Sequence, residues 1–311
     1  MVPDRYLALI RTVAECRVLT TGQLAALEFG SEQAARRAVR SMVSQELLHL
    51  GYDRLGRQRG RPEQLLSLKP AAVQALKDAG ILPKDADPED AQAGPLEDLL
   101  DHQIMLNWVR IAVQELLKAR PDFGAAFVSS TSPFRTQVPG ALASLNIALP
   151  CADGTGAAST VYPDAVLVLS HRPSLRSLLF FVEVDMSTES VASPSGKPND
   201  IRQKLINYRI ALGRKLYKSC ERIAGATLTG FRVLFVANTL ERAAVLCRLA
   251  EEMAPMDFVW ITDYGRLRES GLHGGIWRRG GRAGLADQSI LGSVASCVGA
   301  PSSVERQGRA V

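Results

Sequence analysis

Apolar positions in the first eighty residues recur at helical spacing and then briefly alternate. In PDRYLALIRTVAECR, Tyr6, Leu9, Ile10 and Val13 fall three or four apart behind Pro3, which predicts a helix opening at the proline. LTTGQLAALEFG predicts a short second helix, capped by Thr20 or Thr21 and stopped by Gly30. SEQAARRAVRSMVSQELL predicts a third helix behind Ser31. HLGYDRLGRQRGRPEQLLSL gives two short strand-like pieces around a Gly- and Arg-rich turn. KPAAVQALKDAG then reads as a helix ended by Gly80.

Residues 81–95 lose periodicity and gain Pro, Asp and Gly, which predicts a linker. LEDLLDHQIMLNWVRIAVQELLKA, residues 96–119, predicts a long helix. Beyond it, strands and helices alternate. FGAAFVSS, STVYPDAVLVLS and SLLFFVEVD predict strands, the last two forming a hairpin through HRPSLR. NDIRQKLINYRIALGRKLYKSCERI predicts a helix, FRVLFVAN a buried strand, LERAAVLCRLAEEM a helix and DFVWITD a final strand. The expected organisation is α/β in two domains, 1–80 and 96–265, with 266–311 as a flexible basic tail.

Composition narrows the function classes. No apolar run reaches bilayer length and no signal peptide opens the chain, so a cytoplasmic protein without membrane contact is expected. Cys16, Cys151, Cys220, Cys247 and Cys297 lack metal-ribbon spacing and a disulfide framework. A net charge of +5 hints at a polyanionic partner, and its distribution says more. On the third helix, Ala35, Ala38, Val39, Met42 and Val43 share one side, while Arg36, Arg37 and Arg40 gather on the other. The turn adds Arg54, Arg57, Arg59 and Arg61. An arginine-bearing helix suits a DNA major groove, and a basic wing suits the backbone or minor groove. Double-stranded DNA is the expected partner; a solvated basic face is the plainer alternative.

FFVEVDMSTES carries the candidate chemistry. Side chains alternate along a strand, so Glu183 and Asp185 share a face. In a hairpin, the end of the second strand lies beside the start of the first, which brings Asp164 of VYPDAVLVL to both acids. Three carboxylates at one sheet edge suit Mg²⁺ or Mn²⁺. Lys204, in IRQKLINYR, could reach them from the next helix. Tyr208, one turn after Lys204, could line the same cleft, but a place in the core is the favoured expectation; His102 and Trp108 are expected to be packing or hydrogen-bonded residues, and Glu115, which could reach a metal, is expected on a solvated face. Arg266, Arg268, Arg278, Arg279 and Arg282 suit either a DNA contact or a soluble tail.

The N-terminal layout resembles winged helix-turn-helix domains of bacterial regulators and replication proteins. PD, a hairpin and then EVD resemble the PD-(D/E)XK nuclease superfamily, a mixed sheet flanked by helices. That resemblance implies that Asp164 and Glu183 bind metal. It also implies a lysine two residues after the glutamate, where this chain has Asp185; Lys204 would replace it, a variation known in the superfamily. The winged-helix module, His102, PDAVLVL, FFVEVDMSTES, KLINYR and FRVLFVANTLER together are similar to the replication-relaxation family, over about residues 5–265. This resemblance implies plasmid DNA relaxation, replication initiation or transfer, with other replication or mobilisation proteins, or a second copy of the chain, as further partners. Asp185 in the lysine position supports one alternative, an inactive nuclease-fold scaffold; a separate alternative is a winged-helix transcriptional regulator whose second domain senses a ligand.

Overall fold

The computed structural model describes residues 2–52, 63–86, 100–134, 147–149, 159–191, 200–282 and 285–292. The first core is built by α1 (Asp4–Cys16), β1 (Leu19–Thr20), α2 (Thr21–Leu24), α3 (Glu32–Ser44), β2 (Leu48–Tyr52), β3 (Gln64–Leu68) and α4 (Pro70–Asp78). Thr20 opens α2 through a reciprocal cap: its hydroxyl accepts from Gln23 N, and Gln23 Oε1 accepts from Thr20 N, both at 3.1 Å. A π-helical turn, Ala25–Phe29, carries α2 on to Gly30, whose φ of 65° ends it. Ser31 caps α3, accepting from Ala34 N. The strands form an antiparallel sheet in the order β1-β3-β2. Leu9, Ile10, Val13, Val39, Met42, Leu66 and Leu76 fill the space between helices and sheet.

The second core centres on a six-stranded mixed sheet. Its elements are α5 (Leu100–Ala119), β4 (Phe123–Ser129), β5 (Ile147–Leu149), β6 (Ser159–Val161), β7 (Ala165–His171), β8 (Arg176–Asp185), α6 (Ile201–Gly213), α7 (Glu221–Ala224), β9 (Arg232–Ala237), α8 (Leu240–Glu252), β10 (Val259–Asp263), α9 (Tyr264–Ser270) and β11 (Arg278–Arg279). The strand order is β11-β10-β9-β8-β7-β4, with β8, β9 and β10 parallel and the other pairings antiparallel. β5 and β6 pair separately. Even-numbered side chains of β8, such as Phe180 and Val182, pack with α5 residues including Val109 and Leu116. Odd-numbered ones, Leu179 and Phe181, pack with α6 and α8. Helices therefore cover both faces of the sheet.

Helix α5 belongs to both cores. Ile111 sits in the first, and Met105, Leu106, Val109 and Val113 in the second. Its polar side chains tie the two together. Asn107 donates to the Val18 carbonyl at 2.6 Å, Gln23 donates to the Ile104 carbonyl at 2.7 Å, and Arg110 pairs with Glu15 at 3.0 Å.

Three expectations are corrected. STVYPDAVLVLS is two strands, because Pro163 has no N–H to donate and the chain leaves one sheet for another there. The helix expected to run through residue 223 stops at Gly213, with Lys215 in the left-handed region (φ 55°) before a 3₁₀ turn, Leu216–Cys220. The tail expected from residue 266 is structured among its described residues. β11 pairs with β10, Trp277 is fully buried, and Ile290 and Leu291 join the second core. Of the linker, residues 87–95 lie outside the described residues.

Candidate active site and nucleic-acid face

The β7–β8 register pairs Ala165 with Val182, so Asp164 stands opposite Glu183. Asp164 extends the ladder, donating its N–H to the Val182 carbonyl at 3.1 Å. Its Oδ2 accepts from Val184 N at 2.7 Å and lies 3.1 Å from His102 Nε2. His102 comes from the first turns of α5. On the opposite side of the sheet, α6 presents Lys204 and Tyr208 one turn apart. Lys204 Nζ lies 3.1 Å from Glu183 Oε2 and 3.3 Å from Glu189. The Tyr208 hydroxyl donates a short hydrogen bond to Glu183 Oε1. Asp200 caps α6, accepting from Gln203 N, and thereby fixes the helix start that aims Lys204.

Burial divides this cluster. Glu183 and Tyr208 form a floor, the glutamate side chain only 1% exposed, whereas Asp164, Lys204 and His102 keep 21%, 24% and 26% of their side chains exposed. The charges respond accordingly. Burial, with Asp164 nearby, outweighs Lys204 and pushes the Glu183 carboxyl up to about 7. Burial works against the Lys204 ammonium, but Glu183, Glu189 and Asp164 override it and hold the amine charged. His102 is likewise opposed by burial yet raised by its bond to Asp164, which itself drops below the usual carboxylate range despite burial. The Tyr208 phenol, buried beside Glu183, is held well above its ordinary value.

Asp185 departs from the expected grouping. It shares the Glu183 face, but Arg242 at the start of α8 lies 3.0 Å from its Oδ2, and Ser187 N donates to Oδ1 at 2.7 Å. Among the described residues no group of three or more His, Cys, Asp or Glu stands in a metal-binding arrangement. Glu115 is exposed, as expected. Tyr208 packs in the core as expected and also reaches the cleft from one turn after Lys204, and His102 is hydrogen-bonded as expected, with Asp164 as its partner. Sequence reasoning overlooked Arg242, which comes from an element distant in the chain.

The arginine face is the opposite side of α3 from the first core. Ala35, Val39 and Met42 are buried; Arg36, Arg37 and Arg40 are exposed. Arg36 pairs along the helix with Glu32 at 2.6 Å. Val39, Val43 and Leu50 floor a groove between α3 and the ribbon, with Arg36 and Arg40 on its rim. Arg54, Arg57, Arg59 and Arg61 lie outside the described residues.

Two packed cores, one around a six-stranded mixed sheet with a buried carboxylate joined to lysine and tyrosine, define a mixed α/β protein with an ionisable centre at the end of a central strand. A family model for replication-relaxation proteins matches residues 10–219, more than half of the 311-residue chain, and the chain belongs to that family. The match runs from α1 through α6 and includes Asp164, Glu183, Lys204 and Tyr208. Membership ties the chain to replication or relaxation of plasmids and mobile elements. No curated protein matches the sequence. No helix among the described residues is long and apolar enough to cross a membrane.

Proposed function

We propose that this protein grips duplex DNA of a plasmid or mobile element with an N-terminal winged helix and acts on the backbone through a PD-(D/E)XK-type centre. The observation that carries the second half is the Lys204–Glu183 contact at 3.1 Å, beside Asp164 on the neighbouring strand. It supplies the lysine that EVD lacks. Support for the first half is the exposed row of Arg36, Arg37 and Arg40 on a helix whose other face is core.

The donor set suits a hard divalent cation in part. Asp164 and Glu183 offer carboxylate oxygens from adjacent strands, while Asp185 is held away by Arg242. Mg²⁺ or Mn²⁺ would be held by Asp164 and Glu183 and would supply Lewis-acid polarisation of a phosphate. Tyr208 orients the Glu183 carboxylate from below. Lys204 places an ammonium where negative charge develops on a phosphate during hydrolysis. His102 fixes Asp164 and holds a proton at Nε2 beside it.

The decisive experiment is relaxation or linearisation of supercoiled plasmid with Mg²⁺. Asp164→Ala, Glu183→Ala and Lys204→Ala should each lose about 100-fold or more in rate while duplex affinity stays within about threefold. Equal rates in all four proteins would reject the centre. Retained duplex binding with no cleavage by the wild type would favour the scaffold role, to which Asp185 in the lysine position points.

A further inference from the structure

After β8, residues 186–191 form a strap that is tied down along its length. Ser187, at φ 65°, turns it out of the strand, and its N–H donates to Asp185 Oδ1 at 2.7 Å. The Met186 carbonyl accepts from the Asn238 amide at 3.1 Å, and the Ser187 hydroxyl donates to Asn238 Oδ1 at 2.8 Å. The Ser190 and Val191 carbonyls accept from the first two N–H groups of α6, those of Ile201 and Arg202, at 3.1 and 3.0 Å. Between these anchors, Arg242 in the first turn of α8 donates from Nη2 to the Glu189 carbonyl at 2.7 Å, while its Nε lies 3.0 Å from Asp185 Oδ2.

The Glu189 side chain reaches from this strap to Lys204. Its two carboxylate oxygens lie 3.3 and 3.4 Å from Nζ, which also lies 3.1 Å from Glu183 Oε2. A lysine amine rides on a flexible four-carbon stem, so one partner leaves it free to swing and two fix its place. Glu189 is exposed and needs an anchor of its own, whereas Asp185 and Arg242 are largely buried. A guanidinium holds its donors in one rigid plane, so Arg242 sets the Glu189 backbone at a fixed position relative to Asp185. A buried ion pair by itself adds little stability. The second bond, to Glu189, gives this one a direction: Asp185 to Arg242, Arg242 to the strap, and the strap to Lys204.

We propose that Asp185 and Arg242 are positioning residues for Lys204, holding its amine against Glu183 through the Glu189 strap. The acid that stands in the motif's lysine position thereby serves the lysine that replaces it. Only the use made of that amine, at a phosphate, rests on the proposed function; the clamp does not.

The test is acylation of the full chain by N-hydroxysuccinimidyl acetate, in EDTA and without DNA, with the rate at each lysine read by mass spectrometry. Lys204 should react about tenfold faster or more in Glu189→Ala than in wild type, as a charge-assisted hydrogen bond is lost. Lys215, exposed beyond the end of α6, should keep its rate. Asp185→Asn and Arg242→Gln should accelerate Lys204 as Glu189→Ala does, although neither residue touches it. A rise at Lys215 as well in those two marks general loosening, and Arg242→Lys then decides. It keeps a cation beside Asp185 but replaces two directed donors by one ammonium, so Lys204 should still be released at a urea midpoint near wild type. A Lys204 rate equal to wild type in Arg242→Lys overturns the proposal, as does acceleration confined to Glu189→Ala. With Mg²⁺ and supercoiled plasmid, Glu189→Ala and Arg242→Lys should lower kcat about tenfold and leave KM within about threefold. If the wild type cleaves nothing, the cleavage reading falls and the lysine rates still decide the clamp.

Discussion

A carboxylate only 1% exposed must either be stabilised by its neighbours or give up its charge, and Glu183 does some of each. Its folded pKa of about 7 lies above the ordinary 4.5. Between those values the folded chain keeps a proton that the unfolded chain releases. The resulting stability is complete below the unfolded pKa and is lost as pH rises through the folded one. Glu183→Gln mimics the protonated form. With a chelator present, its stability relative to wild type should therefore climb by about 2–3 kcal/mol between about pH 5 and pH 8, measured by urea unfolding. A flat difference would mean that Glu183 is charged throughout. The Asp164–Glu183 pairing was legible because strand alternation and hairpin register are local rules. Asp185 was not, since its partner Arg242 is 57 residues away and nothing near FFVEVD announces it. Nor was the role of His102, whose position against Asp164 depends on how α5 docks on the sheet.

The same contrast holds for elements. The start and the two faces of helix α3 were legible, because one side of a 100° wheel is apolar and Ser31 stands at its start; its end was not, since the helix expected to reach Leu48 stops at Ser44 and Leu48 opens β2. Replacing Arg36 and Arg40 together by alanine should weaken duplex binding and reduce the slope of log affinity against log salt by about 2. Fluorescence anisotropy across a salt series measures it; an unchanged slope would place DNA elsewhere. The segment around β11 was misjudged because its glycines suggested flexibility. They mark tight turns instead: Gly280 and Gly281 have φ of 62° and 73°. A Cβ on Gly281 would collide with the backbone carbonyl of Cys247. Gly281→Ala should thus cost about 2 kcal/mol or more, read as a fall in the denaturation midpoint. A neutral outcome would argue that the segment is loosely held. Pro163 misled in the other direction: an apolar run continuous in sequence becomes two strands in different sheets.

At the scale of the molecule, two domains were expected and two cores are present, yet α5 serves both. Its apolar residues leave no bare face to mark a boundary. Buried Asn107 and Gln23 lock the two cores across it with hydrogen bonds of 2.6 and 2.7 Å. Circular dichroism and tryptophan fluorescence should therefore report one coincident thermal transition. Asn107→Ala should lower it by an amount equivalent to about 1–3 kcal/mol, because the Val18 carbonyl loses its donor. Two separated transitions in the wild type would show that the cores unfold independently.

The shared helix also sets a distance. His102 at one end of α5 touches Asp164, while Ile111, nine residues on, is embedded in the core beneath α3, about 14 Å away along the axis. A rigid rod fixed at both ends works as a ruler. On the proposed function, the interval between the bases gripped by α3 and the phosphate presented to Glu183 is set by α5 rather than by a loose tether, so scission would fall at a constant offset from the recognised sequence.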